Sequence, residues 1–249
     1  VLTWIILAVA GFVAGVINAV AGGGSLVSFP ALLTTGMGSI AANATNTLAV
    51  WPGSLSSVYA YRTYIAEERH RAWILAWPSL LGGLAGSVLL LHTPESAFRA
   101  VVPWLIIFAC ALLAMQSRVA RWVAHRTGSA ASRVPPALWF FQFFISVYGG
   151  YFGAGIGILM LAAMAIFIPQ GLQAANALKV LFALLINGIS AVYFLVAGAA
   201  RLPEAGFMAI TALLGGWAGA HLAQRMPAKV MRVLVVAYGL LIAAKLLLV

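Results

Sequence analysis

GVINAVAGGGSLVSFPALLTTGMGSIAANATNT, residues Gly15 to Thr47, is the stretch that decides how this chain folds. Three consecutive glycines, Gly22-Gly23-Gly24, lead to Pro30 and then to a cluster of small polar side chains. Such a backbone does not stay one continuous helix: glycine has too much freedom to lose, and proline lacks the N–H. Nearly everything around the stretch is apolar. In hydrocarbon, an interrupted helix is tolerated only where protein or a wet cavity satisfies the freed N–H and C=O groups. The stretch is therefore predicted to line something.

Working outward, composition fixes the solvent. Apolar types make up 64% of the 249 residues and charged types 7%, and mean hydropathy is +1.06. Soluble domains carry about 25% charged residues, so the chain reads as an all-α polytopic membrane protein. Its net charge of +10 sets 14 Lys and Arg against four acids, Glu67, Glu68, Glu95 and Glu204. In a soluble protein that excess would point to nucleic acid. Here it reads as basic residues holding loops on the cytoplasmic side, with the lipid bilayer and not nucleic acid as partner. The single cysteine, Cys110, excludes an internal disulfide, a Cys-based zinc site and an iron–sulfur cluster. Residues 1–20 lack a basic n-region and read as a membrane segment, not a cleaved leader. The absent initiator Met reads as a late start.

The Gly-rich stretch occurs twice. A shift of 133 residues lays Gly22 and Gly24 on Gly155 and Gly157, and Ala42-Asn43-Ala44 on Ala175-Asn176-Ala177. The same shift lays Leu80-Leu81-Gly82-Gly83-x-Ala85-Gly86 on Leu213-Leu214-Gly215-Gly216-x-Ala218-Gly219, and Pro94 and Arg99 on Pro227 and Arg232. Internal duplication is the mark of many transporter folds. Each half reads as five hydrophobic pieces. In the first half these are Leu2–Ala21, a short Ser25–Thr35, Asn43–Tyr61, Trp73–Leu91 and Phe98–Met115. In the second they are Leu138–Ala154, Ile156–Ile168, Ala175–Ala200, Ala205–Leu222 and Val230–Val249. A crossing takes about 20 apolar residues, so the second piece of each half is either a short tilted crossing or half of a re-entrant hairpin. Either choice gives an odd number of crossings per half, which inverts one half relative to the other. Positive-inside counting favours inversion slightly. The expected domains are a first transmembrane repeat at 1–116, a basic cytoplasmic linker at 117–134 holding Arg118, Arg121, Arg126 and Arg133, and a second repeat at 135–249.

Lys179, in NALKVLFALLING, is the sharpest polar signal. A lysine inside a membrane segment carries a penalty of about 2.5–3.5 kcal/mol by insertion scales and so tends to face a cavity or a partner; near a helix end it can instead snorkel. Its repeat mate is Asn46. With Asn43 and Thr45, Asn46 offers donors at the expected start of a helix, and Asn176 sits at the matching place in the second half. Helix starts attract anions through free N–H groups and the dipole, although plain N-capping explains the same residues. Gly22, Gly23 and Gly24, with Gly153, Gly155 and Gly157, read either as small-residue packing or as bare backbone contacting substrate. Gly82-Gly83-x-x-Gly86 and its mate read as packing. Asn18, Asn187, Ser54, Gln142 and Tyr151 are isolated intramembrane polars, read as interhelical hydrogen bonds. No HExxH, paired carboxylates or cysteine cluster occurs, so no catalytic residue, metal site or cofactor is expected. All four acids fall in loops or at segment edges. The inventory of ammonium, amides, hydroxyls and backbone N–H suits a small anion.

GVINAVAGGGSLVSFPALLTTG with AANATNT, and GGYFGAGIGILMLAAM with QAANALKVLFALLING, resemble the two repeats of the TauE/SafE sulfite-exporter family, the TSUP permeases. The resemblance covers nearly the whole chain. It implies a carrier in the bacterial cytoplasmic (inner) membrane for sulfite, thiosulfate or organosulfonates. The expectation is a secondary transporter working by alternating access between inverted repeats, not an enzyme. An anion channel of the same architecture is the alternative. Proton coupling through Lys179 and a homodimer are both compatible with the sequence. The first repeat has Asn46 where the second has Lys179, which makes any site asymmetric.

Overall fold

The computed structural model describes residues 2–20, 23–125, 134–167, 172–222 and 228–248. The first half contains α1 (Leu2–Val20), α2 (Ser25–Thr34), α3 (Ser39–Ala60), α4 (Arg62–Glu67), α5 (Arg69–His92) and α6 (Glu95–His125). The second contains α7 (Pro136–Tyr151), α8 (Ile156–Phe167), α9 (Leu172–Val196), α10 (Leu202–Leu222) and α11 (Ala228–Leu248). The chain is thus an all-α membrane protein, with no strand among the described residues. By length and apolarity α5, α6 and α9 can each cross a bilayer.

Both glycine clusters break the helix, as expected. The backbone leaves α1 at Val20 and re-enters α2 at Ser25; it leaves α7 at Tyr151 and re-enters α8 at Ile156. Gly23, Gly153 and Gly155 have φ of 92°, 83° and 81°, a region that only glycine adopts without strain. Two expected boundaries need correction. α3 begins at Ser39, not near Asn43, because Ser39-Ile40-Ala41-Ala42 is good helix and Ala42 N–H already donates to Gly38 C=O. The stretch expected as a linker at 117–134 is helical up to His125, an extension of α6; residues 126–133 lie outside the described residues. The short α4, not expected from the sequence, lies between α3 and α5.

The repeat survives in the packing. α1 packs on α10, and its mate α7 packs on α5, the mate of α10. These two seams are built on backbone contact. A Cβ at Gly15 would land on the Ala212 carbonyl, and one at Gly215 on the Phe12 carbonyl. A Cβ at Gly86 would land on the Val147 carbonyl, and one at Gly150 on the Gly83 carbonyl. The duplicated Leu-Leu-Gly-Gly-x-Ala-Gly therefore serves the same purpose in both halves, letting two helices approach at backbone distance. In each seam the contacting residue numbers rise together, so the paired helices run in the same direction.

Two pairs of repeat mates touch each other. Trp51 Nε1 donates to the carbonyl of Leu184, 133 residues away, at 3.2 Å, where α3 crosses α9. On α6 and α11, a Cβ at Gly239 would lie 3.7 Å from Ile106 Cγ2 and 2.6 Å from Cys110 Sγ. Cys110 Sγ also reaches the Val236 carbonyl at 3.8 Å, and Arg232 Nε donates to Gln116 Oε1 at 3.2 Å. Along these contacts one number rises as the other falls, so α6 and α11 run in opposite directions. One hydrophobic core joins α1, α2 and α3 to α6 and α11; a second joins α5 to α7, α8 and α9. Large side chains such as Trp73, Trp77, Trp104 and Trp217 stay on the outer surface, where lipid and headgroups take them.

Candidate functional site

The polar groups gather around the two breaks. At the first, Asn18 near the end of α1 accepts from Gly24 N–H at 2.7 Å, satisfying one of the donors that the α2 start leaves free. One turn on, Ser28 donates toward Gly24 C=O at 3.2 Å and to Asn46 Oδ1 at 2.5 Å. Asn46 is 2% exposed, and its oxygen is held by Ser28. Among the described residues its Nδ2 has no hydrogen-bond partner.

Asn43 ties the first half to the second break. Its Nδ2 donates to the carbonyl of Tyr151, the last residue of α7, at 2.9 Å, and its own carbonyl accepts from Thr47 Oγ1 at 3.0 Å. Asn43 Oδ1 is buried without a partner among the described residues. Thr45 does something else: its hydroxyl accepts Arg201 N–H at 3.0 Å and touches Met37 Sδ, fixing the turn after α9.

At the second break, Lys179 Nζ donates to Asn176 Oδ1 at 2.9 Å. Its stem lies on Gly157 in the first turn of α8, where a Cβ would come 3.1 Å from Lys179 Cδ. The ion pairs among the described residues are Arg71–Glu68 and Arg201–Glu204, so no carboxylate neutralises Lys179. Tyr148 closes the break from below, donating its hydroxyl to Ala154 C=O at 2.7 Å. Asn187 donates to Ala183 C=O, and its Oδ1 lies near the position of a Gly153 Cβ, at 3.7 Å.

The two breaks rest on neighbouring residues of one helix. A Cβ at Gly23 would lie 3.3 Å from Leu113, and one at Gly155 lies 3.2 Å from Leu112. The α6 side chains thus bring both interruptions to the same level.

Of the residues expected at a site, Lys179, Asn176 and Gly157 come together, as do Asn46 and Gly24 through Ser28. Asn43 reaches Tyr151 at the edge of the second break. Thr45 turns to the α9–α10 connection, and Gly22 lies outside the described residues. The expectation of an anion at the start of α3 needs correction. That start is Ser39, and the Glu95 carboxylate of α6 already occupies it, accepting from Ser39 N–H and from Ile40 N–H at 3.2 Å. Asn43, Thr45 and Asn46 point from the second turn onward, and Asn176 likewise sits within α9. Sequence reasoning missed Ser28 and Tyr148. Ser28 could have been found one helical turn after the last glycine, where a hydroxyl can bond back to a carbonyl.

The family model for sulfite exporter TauE/SafE matches residues 7–246. A probable membrane transporter protein of Haemophilus influenzae is 31% identical over 248 residues, covering 96% of this chain and 92% of that protein. The probable membrane transporter protein ORF9 of a Sinorhizobium species is 26% identical over 243 residues, covering 97% of this chain and 91% of that one. The probable membrane transporter protein YfcA of Escherichia coli is 26% identical over 239 residues, covering 94% and 86%.

Proposed function

The chain belongs to the TauE/SafE sulfite exporter family, and on that premise we propose that it is a secondary transporter of small sulfur-containing anions: sulfite, thiosulfate or an organosulfonate. It sits in the bacterial inner membrane and works by alternating access between two inverted repeats. The opposite directions of α6 and its mate α11 support inversion, because a two-fold that reverses a membrane-crossing helix lies in the plane of the membrane.

Lys179 is the single observation that carries the anion. An ammonium within a membrane helix has one neutral amide as partner and no carboxylate. Its stem also packs against Gly157 in the first turn of α8, the positive end of that helix's dipole, although Ile156 N–H and Ile158 N–H there already donate to Gly153 C=O and Gly155 C=O. Two positive groups facing each other in a poorly screened place repel, and an anion between them converts that repulsion into two attractions. Lys179 supplies charge, Asn46 Nδ2 and the glycine-opened N–H groups supply direction, and Asn176 aims the ammonium.

The test is flux of sulfite and simple sulfonates into proteoliposomes, wild type beside Lys179→Ala. Losing a charge-assisted hydrogen bond is worth about 1.5–3 kcal/mol, so transport efficiency should fall about ten- to hundredfold. Equal flux through both proteins would remove Lys179 from the mechanism. Saturation with counterflow marks a carrier, and single-channel currents a pore.

A further inference from the structure

Among the described residues two buried side-chain acceptors have no partner, Asn43 Oδ1 and Gln142 Oε1; Gln142 lies earlier in α7, and Asn43 is the one at a break, where an all-acceptor anion does not explain it. Its Nδ2 is committed to the Tyr151 carbonyl at 2.9 Å, which fixes the amide: flipping it would set two carbonyl oxygens face to face. Its Oδ1 is therefore an acceptor by necessity. That oxygen is fully enclosed, has no partner among the described residues, and belongs to a residue 1% exposed. Buried acceptors without donors are rare and call for a cause.

Its position suggests the cause. The segment from Tyr151 to Gly157 is the second break; Asn43 holds its Tyr151 end and Lys179 lies on its Gly157 end. One end of this short segment offers an ammonium, the other a lone acceptor. A sulfonate or fully ionised oxyanion has only acceptor oxygens, which an amide oxygen repels. A cargo with a negative group at one end and an O–H or N–H at the other meets both.

We propose that Asn43 is a specificity residue, and that the transported anion carries its own hydrogen-bond donor, received by Asn43 Oδ1 while Lys179 takes the charge. The inference rests on the anion reading given above and narrows it to hydroxylated, aminated or protonated anions. A site built around a donor rejects the analogue that lacks it strongly, because the buried acceptor is then left without a partner.

The experiment compares matched probes in proteoliposomes: 2-hydroxyethanesulfonate, ethanesulfonate and sulfite. The expected result is uptake of the hydroxylated sulfonate with an apparent affinity at least about tenfold tighter than that of ethanesulfonate. In Asn43→Leu that ratio should fall toward one. The wild-type ratio decides the matter even where the variant does not fold. Equal affinities for the two sulfonates would overturn the role of Asn43 and leave anion transport standing, with a trapped water as the acceptor's partner. Transport of none of the three probes would overturn the anion reading and this inference together.

Discussion

Asn46 and Lys179 occupy equivalent positions in the two halves and have opposite needs. Lys179 has donors to spare and takes one amide oxygen. Asn46 has its oxygen bonded to Ser28, and its N–H groups have no partner among the described residues. Ser28 thus ties the Asn46 amide to the first break, sharing one hydroxyl proton between Asn46 Oδ1 and Gly24 C=O. Ser28→Ala should leave a buried acceptor without a donor, destabilising the protein by about 1–3 kcal/mol. The amide is then free to turn its oxygen toward the anion, and sulfite affinity should drop with stability. Thermal unfolding in detergent and proteoliposome flux read the two effects; a variant that melts and transports like wild type would show that Asn46 is oriented by something else. The position of Lys179 is legible in the sequence, since a charge within an apolar run at a constant offset from an asparagine stands out. Ser28 is not. Its hydroxyl reaches Asn46, 18 residues on, only after α2 folds back on α3. Its repeat mate is Leu161, so comparing the halves gives no hint. Thr45 illustrates the reverse error. It lies among the expected donors, yet its partner is a backbone N–H 156 residues away, in a turn that no local pattern predicts.

At the scale of elements, glycines sort into those that hold helices together and those that do not. Gly15 of α1 has the Ala212 carbonyl where a Cβ would go. Gly15→Ala should therefore push the α1–α10 seam apart and destabilise by about 1–3 kcal/mol, as overpacking does. Gly206, also within a helix, has nothing within 4 Å of the corresponding position. Gly206→Ala should be neutral or stabilise by up to about 1 kcal/mol through helix propensity. Parallel melting curves of the two variants in one detergent check the contrast, and similar melting points would mean that the seam yields easily. That the repeated glycines pack helices is readable from the chain. Which helix they meet is not, because a small-residue face says that a backbone comes close without saying whose. Prolines divide the halves further. Pro30, Pro52, Pro78 and Pro103 lie inside α2, α3, α5 and α6. Their mates are Ala163, Leu185, Thr211 and Val236, and the prolines of the second half's described helices, Pro136 and Pro203, sit in first turns where no ladder hydrogen bond is lost, so among the described helices only the first half has proline in helix interiors. Each removes one ladder hydrogen bond and favours a bend, which makes the first half the more deformable of the two.

For the whole molecule, the glycine seams change what moves. α10 is welded to α1, and α5 to α7, at backbone distance. For the alternating access proposed above, the moving bodies are then exchanged bundles and not the sequence halves: α1, α2, α3 and α10 against α7, α8, α9 and α5. α3 and α9 meet between the bodies, at Trp51 and Leu184, with Gly188 giving way to the indole. On that proposal, rocking of one body on the other passes through that crossing, while the α1–α10 seam travels as a unit. A cross-link separates the two. In a Cys110→Ala background, which removes the one native thiol, Trp4→Cys with Phe207→Cys bridges α1 and α10 where their rings now meet at 5.1 Å. Trp51→Cys with Gly188→Cys bridges α3 and α9, where a Cβ at Gly188 would sit 3.0 Å from Trp51 Nε1. Joined by a short bis-methanethiosulfonate, which forms a disulfide with each cysteine and releases methanesulfinate, the first pair should transport as before. The second should stop transport and recover when the link is reduced. Arrest by the first link would mean that α10 moves against α1, and the bodies would then follow the sequence halves instead of the exchanged bundles.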